Sequence, residues 1–283
     1  MTSGQRGEAL YKANMNTRLN MAVAGCAGRM GRQLVKAAKE AGHSISGGSE
    51  APGSEFLGRD LGSLAGLEPL DIVAHAGLTE AGKGADVWID FTVPSATLLA
   101  LTTMPSLGLK AVIVGTTGFN DAQDVQIRAA SERLAIVKAG NYSIGVNLLE
   151  ALVREAASRL DEGWDIEVLE THHRRKVDAP SGTALMLGES AAQGRGRQLK
   201  DTRLAPYDGP DAKREPGKIG FSVRRSGSVI GEHEVTFGSD MEVISLSHTA
   251  LDRAVFAHGA VKAAEWAVTQ PPGLYDMSDV LGV

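Results

Sequence analysis

The sequence predicts an α/β protein in two parts: a doubly wound parallel sheet, then an α+β domain with an antiparallel or mixed sheet. Up to Lys138, short apolar strands alternate with segments of helical periodicity, the pattern of a parallel sheet with right-handed crossovers. The 34 glycines suit the many tight turns of such a fold. After Asn141 the pattern changes to one long helix and several consecutive strands, and the 283 residues are enough for two domains.

In the first part, each predicted strand is a short apolar run. The strands are predicted at residues 19–24, 45–50, 86–91, 111–114 and 135–138. Helices are predicted after the first strand as far as Gly42, from Pro94 onward because proline suits a first helical turn, and at 121–133. Residues 52–66 are expected to form a glycine-rich loop.

In the second part, an amphipathic helix is predicted at 144–160, a strand at 164–169 and a helix from about Ser181. A loop at 201–218 follows. Three β-rich runs come next, at 219–225, 229–237 and 241–247. The turn residues between them, Ser-Gly-Ser and Gly-Ser-Asp, predict hairpins. The last helix, 253–268, is expected to pack against the first domain.

Composition narrows the class of protein. The net charge of −5 argues against nonspecific nucleic-acid binding as a main role. A single cysteine excludes an internal disulfide and a multi-cysteine metal site, as expected in a reducing cytoplasm. Residues 1–16 are polar, lack the apolar run of a secretory signal and are expected to be a disordered extension. No apolar stretch approaches the roughly 18 residues of a membrane span, so a soluble, cytoplasmic protein is expected.

A glycine motif marks the turn after the first strand. Gly25, Gly28 and Gly31 follow that strand and open a helix, the context of a dinucleotide-binding turn. Gly25 is expected to make the tight turn, Gly28 to admit a pyrophosphate and Gly31 to let the helix pack on the strand. The spacing G-x-x-G-x-x-G differs from the standard G-x-G-x-x-G, so a glycine-rich turn without a ligand is the alternative.

An acidic residue ends the second strand, about 25 residues beyond Gly25. Glu50 is therefore expected to bind the ribose hydroxyls of the adenosine, and a carboxylate there repels a 2′-phosphate. No arginine or lysine occurs at 51–53, which favours NADH, and pairing of a phosphate with Arg29 or with a mobile loop is the alternative. The alternative is a solvated turn glutamate.

Two segments of small residues, at 115–118 and 139–143, also follow predicted strands. Ligands of open α/β sheets bind at that edge, so these residues are expected to accommodate a nicotinamide ring. Ordinary strand-ending turns are the alternative.

The basic segment His172-His-Arg-Arg-Lys176 is followed by a helix start at Ser181. A histidine can move a proton near neutral pH, and cations and free N–H groups attract an anion. Together they predict protonation of a small acidic substrate. A solvated basic patch and a phosphate or nucleic-acid site are the alternatives, because a histidine among cations stays neutral near pH 7 unless an anionic substrate keeps it charged.

Metal binding and carboxylate binding are further roles that histidine and arginine side chains can have. Adjacent histidines on a strand point to opposite faces and no nearby set of cysteines or carboxylates completes a site, so no metal is expected at His172 and His173. His233 and His248 are expected to be structural. Arg253 is a candidate second clamp for a carboxylate.

These motifs, in order from about Asn20 to the end, resemble the 4-hydroxy-tetrahydrodipicolinate reductase (dihydrodipicolinate reductase) family of bacterial lysine biosynthesis. The segments that carry the resemblance are Gly25-Cys-Ala-Gly-Arg-Met-Gly31, Asp90-Phe-Thr92, Gly115-Thr-Thr-Gly-Phe119, Asn141-Tyr-Ser-Ile-Gly-Val-Asn147, Glu170-Thr-His-His-Arg-Arg-Lys-Val-Asp-Ala-Pro-Ser-Gly-Thr-Ala184, Gly231-Glu-His233 and Gly273-Leu-Tyr-Asp-Met277. The string at 172–184 is highly specific.

The resemblance implies an activity and an architecture. The activity is NAD(P)H-dependent reduction of 4-hydroxy-2,3,4,5-tetrahydrodipicolinate to tetrahydrodipicolinate with loss of water, with hydride to ring C4 and a proton from His172. The architecture is a Rossmann-type dinucleotide-binding domain at 17–142 and 253–283. A substrate-binding domain at 143–252 would form a homotetramer through its open sheet.

The resemblance also implies residue roles. His172 is the general acid, Lys176 its catalytic and binding partner, and His173, Gly182 and Thr183 are substrate contacts. The cofactor residues are Gly25, Cys26, Ala27, Gly28, Arg29, Met30, Glu50, Gly115, Thr116, Thr117, Ala139, Gly140, Asn141 and Tyr142. Ala51 stands where family members that use NADPH well often have a basic residue, so NADH is expected to be preferred over NADPH.

Two rival functions remain. One is another dehydrogenase of amino-acid metabolism, acting on diaminopimelate or aspartate semialdehyde. The semialdehyde reaction needs a cysteine nucleophile, and the one cysteine lies in the dinucleotide turn. The other rival is a non-catalytic NAD sensor, which would not require a proton donor.

Overall fold

The computed structural model describes residues 18–283, so the extension predicted at 1–16 lies outside the described residues. The chain forms two compact units. The first runs as far as Tyr142 and includes Phe256–Val280, and the second comprises Ser143–Val255 with Leu281–Val283. In the described part, no helix has the length and apolar character to cross a membrane.

The described residues form strands and α-helices in the following chain order. The strands are β1 (Asn20–Ala24), β2 (Ser44–Ser49), β3 (Ala74–His75), β4 (Val87–Asp90), β5 (Ala111–Val114), β6 (Ala135–Lys138), β7 (Asp165–His172), β8 (Ile219–Arg225), β9 (Gly231–Gly238), β10 (Val243–Ala250) and β11 (Gly273–Tyr275). The helices are α1 (Arg29–Glu40), α2 (Leu61–Ala65), α3 (Leu78–Gly82), α4 (Pro94–Thr103), α5 (Asp121–Ala130), α6 (Ile144–Arg159), α7 (Gly182–Gly194), α8 (Leu199–Thr202), α9 (Ala254–Ala267) and α10 (Met277–Leu281).

The sheet of the first unit has the strand order β11-β6-β5-β4-β1-β2-β3, and its strands pair in parallel. The order changes direction at β1, which lies between β4 and β2. The crevice beyond the carboxyl ends of such strands is where open α/β sheets bind ligands. The prediction of a doubly wound parallel sheet is confirmed.

Both faces of this sheet are covered. Met21 and Val23 belong to one apolar cluster, and Ala22 and Ala24 to another, because successive strand residues point to opposite faces. Every residue of β4 and β5 is buried, as expected for central strands of a parallel sheet. The apolar runs that predicted these strands are therefore the core of the unit.

Helix α9 completes the core of the first unit through small residues. Its buried alanines join the same cluster as Met21. A Cβ on Gly259 would lie 1.7 Å from the carbonyl oxygen of Tyr142, so only glycine permits this approach of the helix to the backbone.

The second unit has a mixed sheet in the order β10-β9-β7-β8. Strand β7 is parallel to β8 and antiparallel to β9, and β9 is antiparallel to β10. Helices α6 and α7 pack on one face of the sheet around Val153, Val168 and Leu187. A mixed sheet was one of the two predicted arrangements.

One predicted hairpin is wrong. Strands β8 and β9 are joined by the Ser-Gly-Ser turn, but β7 lies between them in the sheet. Turn residues indicate that the chain reverses direction between two strands. They do not show whether those two strands pair with each other in the sheet. The hairpin of β9 and β10 is confirmed by their antiparallel register.

Short elements were not predicted. Helix α2 lies inside the predicted loop 52–66, where Asp60 caps it by accepting a 2.8 Å hydrogen bond from Ser63 N. Helix α8 overlaps the start of the predicted loop 201–218. Strands β3 and β11 and helices α3 and α10 have two to five residues, too few for a periodic pattern to reveal.

Candidate active site

The β1–α1 turn has the geometry of a dinucleotide-binding turn. Gly25 has φ +59°, a conformation that glycine adopts without strain. A Cβ on Gly31 would lie 2.1 Å from the carbonyl oxygen of Gly25, so the helix packs on the turn only with glycine there. Gly28 is the N-cap of α1, and no side chain caps this end of the helix. This helix start fits a pyrophosphate, because the first N–H groups of α1 have no acceptor within the helix and Gly28 at the N-cap has no Cβ.

We expect Gly31→Ala to weaken NADH binding about tenfold or more and to destabilise the protein by about 1–3 kcal/mol, because the added methyl group meets the Gly25 carbonyl. Calorimetric titration with NADH and denaturant unfolding measure the two effects. Gly238→Ala is the matched control, since its Cβ would make only an ordinary contact of 3.8 Å. Unchanged NADH affinity in Gly31→Ala would contradict a nucleotide site at this turn.

Glu50 lies beside the glycine turn. It follows β2, and its Oε1 accepts a 2.7 Å hydrogen bond from Ala27 N. The last residue of β2, Ser49, accepts a 3.1 Å bond from Cys26 N. The structure therefore brings Glu50 to the predicted turn, at the strand end where a ribose binds in such sheets. On the first turn of α1, Arg29 is exposed and Met30 is half-buried.

The Cys26 side chain is part of the core. Burial, and then the charge of Glu50, raise the pKa of this thiol to about 12. The group is therefore a thiol at neutral pH, without the reactivity of a thiolate. Within the predicted cofactor set, Cys26 has only its backbone to offer a ligand.

A buried carboxylate, Asp90, organises the ends of β4 and β5, a role that was not predicted from the sequence. It is 1% exposed. Its Oδ1 accepts hydrogen bonds from Thr92 Oγ1 at 2.6 Å, Thr92 N at 3.0 Å and Thr116 Oγ1 at 3.2 Å. The Thr116 hydroxyl is thus turned inward, whereas Thr117 is exposed. A Cβ on Gly115 would lie 2.2 Å from the Phe91 ring, so any larger residue at this position would clash with the ring.

The segment after β6 divides between core and surface. The Tyr142 ring is buried, and its hydroxyl lies 2.8 Å from Val137 O and 3.0 Å from Val114 O, between β6 and β5. Burial raises the pKa of this phenol, which stays protonated. Asn141 is buried, Ala139 is half-buried and Gly140 is exposed. The Tyr142 side chain is therefore structural, and a cofactor role for these four residues stays a prediction.

In the second unit, β7 places Glu170 and His172 on the same face of the sheet, because they are two residues apart. His172 is 8% exposed and Glu170 is 1% exposed. His172 Nδ1 lies 2.5 Å from Glu170 Oε2. Arg225, on β8, donates to both oxygens of Glu170, at 2.8 and 2.9 Å, and Ser181 N donates at 3.0 Å.

The charge state of Glu170 follows from these contacts. Burial favours the neutral acid, but the hydrogen bonds from Arg225 and His172 outweigh burial and hold the pKa of Glu170 below its usual value. An ionised carboxylate only accepts hydrogen bonds, so His172 Nδ1 carries a hydrogen and Nε2 is the nitrogen left for a substrate. The chain itself therefore supplies a counter-charge for His172, which the sequence had led us to expect only from the substrate.

Two further histidines, on β9 and β10, face the N-caps of α7 and α6. His233 Nε2 lies 3.1 Å from Ser181 Oγ, and His248 Nε2 lies 3.3 Å from Ser143 Oγ. Burial, and then the charge of His172, lower the pKa of His233 to about 4, and burial lowers the pKa of His248. The His233 ring is edge-on to His172, with centroids 5.1 Å apart. His233, expected to be structural, thus lies against the candidate acid.

Lys176 lies in the loop after β7. Its Nζ is 2.9 Å from Asp178 Oδ2, and this hydrogen bond lowers the pKa of Asp178. Lys176 N donates a 3.0 Å bond to His173 O, which folds the loop back on itself. The lysine is thus held on the loop that begins at His173, directly after His172 at the end of β7, and it pairs with the carboxylate of Asp178.

The remaining predicted substrate residues also lie in the second unit. Gly182 is the first residue of α7 and is exposed, with open space where a Cβ would lie, and Thr183 is half-buried. Arg253 is exposed. Burial, and then the positive charge of Arg253, lower the pKa of His173. Among residues 18–283, no group of three or more His, Cys, Asp or Glu is arranged to hold a metal ion.

An oxidoreductase that uses a nicotinamide nucleotide is the class of protein that this fold and these side chains define. Two family models match the chain: dihydrodipicolinate reductase, N-terminus, over residues 19–142, and dihydrodipicolinate reductase, C-terminus, over residues 145–281. The chain belongs to the dihydrodipicolinate reductase family, and the resemblance noted in the sequence is confirmed.

Individual relatives of the chain support the same family. The 4-hydroxy-tetrahydrodipicolinate reductase of Parvibaculum lavamentivorans is 50% identical over 271 residues, covering 95% of this chain and 100% of that protein. The protein of the same name from Afipia carboxidovorans is 50% identical over 266 residues, covering 94% and 97%. A solved structure, dipicolinate-bound dihydrodipicolinate reductase from Paenisporosarcina sp. TG-14, has a TM-score of 0.71 at 22% identity, covering 92% of this chain and 98% of that one. That structure supports the fold.

Proposed function

We propose that the chain reduces 4-hydroxy-2,3,4,5-tetrahydrodipicolinate to tetrahydrodipicolinate, in diaminopimelate and lysine biosynthesis. The observation that carries the proposal is the buried His172–Glu170 pair in a chain of this family. One substrate, one NAD(P)H and one proton give tetrahydrodipicolinate, NAD(P)⁺ and water. The ring hydroxyl leaves as water, and the nicotinamide, when bound, supplies the hydride that ring C4 receives.

His172 acts as the general acid of this reaction. Its Nδ1 is bonded to Glu170, so Nε2 gives its proton to the ring carbon adjacent to C4. The substrate is a dianion, and its charge favours the protonated imidazole. A proton from solvent then restores the protonated form of His172 for the next turnover.

The two substrate carboxylates are held by the residues around His172. Lys176 and the N–H groups at the start of α7, at Gly182 and Thr183, bind one carboxylate, because a cation and the positive end of a helix both favour an anion. His173 and Arg253 bind the other. Each of these residues belongs to the second unit.

The nucleotide is held by residues of the first unit. The glycine turn binds the pyrophosphate and Glu50 the adenosine ribose, and the strand-end segments receive the nicotinamide. The set is Gly25, Cys26, Ala27, Gly28, Arg29, Met30, Glu50, Gly115, Thr116, Thr117, Ala139, Gly140, Asn141 and Tyr142. Thr116 and Tyr142 contribute backbone groups, since their hydroxyls are bonded within the protein.

NADH oxidation with freshly prepared 4-hydroxy-tetrahydrodipicolinate tests the function. Oxidation that depends on this substrate is the expected result. The protein should not reduce NAD(P)⁺ with diaminopimelate, or with aspartate semialdehyde and phosphate, which are the compounds that the rival dehydrogenases oxidise. NADH binding without oxidation above background would favour a nucleotide sensor instead. A homotetramer formed through the open sheet, working in the cytoplasm, completes the proposal, and sedimentation velocity tests the assembly.

NADH is the proposed preferred cofactor, with NADPH as the second. Glu50 accepts hydrogen bonds and repels a 2′-phosphate, and Ala51 beside it carries no charge. We expect Ala51→Arg to raise the ratio of NADPH to NADH kcat/KM about tenfold, since a guanidinium pairs with the phosphate. Steady-state kinetics with both nucleotides measure the ratio. Ala51→Gln is the neutral control, and an unchanged ratio in Ala51→Arg would contradict a ribose next to Glu50.

A further inference from the structure

We infer that Glu170 and Gly231 are positioning residues that fix the ring of His172, so that its Nε2 and not its Nδ1 delivers the proton. The inference rests on the proposed function, which makes His172 the acid. It assigns roles to Glu170, which contacts His172 from the same strand, and to Gly231, which lies beside the His172 ring on β9. Neither residue is proposed to touch the substrate.

The first step is the rigidity of the Glu170 carboxylate. Oε1 accepts from Arg225 Nη2 at 2.9 Å and Ser181 N at 3.0 Å, and Oε2 accepts from Arg225 Nη1 at 2.8 Å and His172 Nδ1 at 2.5 Å. The guanidinium is itself anchored, because it donates to Asp178 O at 2.7 Å and Arg224 O at 2.8 Å. Four donors on a 1% exposed carboxylate leave it one orientation.

The second step is the space beside His172 Nε2. Gly231 lies on β9, two residues before His233 and on the same face of the sheet. A Cβ there would lie 3.1 Å from His172 Nε2, closer than an ordinary contact. The backbone of Gly231 is outside the left-handed region, so its conformation does not require glycine. The missing Cβ keeps Nε2 clear, and a methyl group would cover this nitrogen or push the ring away from Glu170.

The third step is the balance of charge around the ring. Glu170 faces His172 from the same strand, Arg225 from β8 and His233 from β9, while Lys176 and Asp178 lie on the loop that follows. His233 adds no charge near neutral pH because burial lowers its pKa to about 4. Glu170 is thus the carboxylate in direct contact with the imidazole, and it favours the protonated ring against the two neighbouring cations.

Glu170→Gln tests the carboxylate, because it keeps the size of the side chain and removes its charge. We expect kcat to fall about 100-fold while the KM for the dicarboxylate and the NADH affinity change less than about threefold. The alkaline limb of the kcat–pH profile, where the general acid loses its proton, should move to lower pH. The ¹⁵N NMR signals of His172, without substrate, should lose the pattern of a fixed Nδ1–H tautomer. These last two readouts would not respond to a general loss of stability.

Glu234→Gln is the matched control, since this glutamate lies on the opposite face of β9 and bonds Ser245 Oγ at 3.3 Å. Gly231→Ala is the second variant and leaves the Glu170–Arg225 pair in place. It is expected to lower kcat about tenfold or more, with Gly238→Ala as its control. If Glu170→Gln fails to fold, the kcat of Gly231→Ala decides whether the inference holds.

Wild-type kcat and an unchanged His172 tautomer in Glu170→Gln would overturn the inference, as would wild-type kcat in a folded Gly231→Ala. The tautomer measurement needs no turnover. If the wild-type protein does not oxidise NADH with the dicarboxylate, and Glu170→Gln still changes the His172 signals, then the proposed function fails and the positioning role of Glu170 stands.

Discussion

His172→Gln is expected to lower kcat by about 10²- to 10⁴-fold while NADH affinity stays within about twofold of the wild-type value. The reason is chemical: glutamine can accept a hydrogen bond from its surroundings, but it has no proton to give to a ring carbon at neutral pH. Steady-state turnover with saturating dicarboxylate measures kcat. Fluorescence titration with NADH measures nucleotide affinity separately, because the glycine turn and Glu50 belong to the first unit and His172 to the second.

The control for this variant is another histidine that pairs with a glutamate. His258 Nε2 lies 3.4 Å from Glu40 Oε2, and the His258 side chain is 49% exposed. His258→Gln should leave both kcat and NADH affinity unchanged. If His172→Gln kept near-normal turnover, His172 could not be the acid, whatever the nucleotide affinity.

The sequence predicted the fold well where apolar runs are bounded by glycine or proline. Strands 111–114 and 135–138 were placed at their observed bounds, and the helix at Pro94 begins at the predicted residue. Strands in a parallel sheet are buried on both faces, so their apolar runs are continuous and easily recognised. Elements of two to five residues, such as β3 and α3, are held by their neighbours and leave no periodic signal.

The neighbours of a strand are harder to predict than the strand itself. The sequence shows that β8 and β9 run in opposite directions, but β7 lies between them. The alternating residues of β7, such as Ile166 and Val168, are fully buried against α6 and α7, so this strand takes a central place in the sheet. The choice of partner is a property of the packed unit, which a turn motif does not contain.

The same distinction applies to the site. His172 and Lys176 form a local cluster and were found from the sequence, whereas Arg225 is 55 residues from Glu170 and reaches it only through the parallel register of β7 and β8. Glu170 itself had a local signal, because residues two apart on a strand share a face. The hydrogen bond between Asp90 and Thr116, at 3.2 Å, joins residues 26 apart in sequence, and no local pattern predicts it.

Lys176→Met is expected to lower kcat/KM for the dicarboxylate about 100-fold, since a charge-assisted hydrogen bond to a carboxylate contributes about 1.5–3 kcal/mol and Met keeps the length of the side chain without its charge. The inhibition constant of pyridine-2,6-dicarboxylate should rise by a similar factor. NADH affinity should not change. Lys200→Met, at an exposed lysine of the same unit, is the matched control. Unchanged affinity for the inhibitor would exclude Lys176 from the carboxylate clamp.

The ion pair between Lys176 and Asp178 allows a second, more specific test of this role. Lys176 Nζ holds Asp178 at 2.9 Å and lowers the pKa of its carboxyl, so removal of the lysine leaves a negative charge on the loop that faces an anionic substrate. Part of the loss in Lys176→Met should therefore be repulsion from Asp178. The double variant Lys176→Met with Asp178→Asn should recover about three- to tenfold of the inhibitor affinity, a gain that adding salt to the single variant should partly reproduce. A double variant no better than Lys176→Met would show that the whole loss is the missing ammonium group.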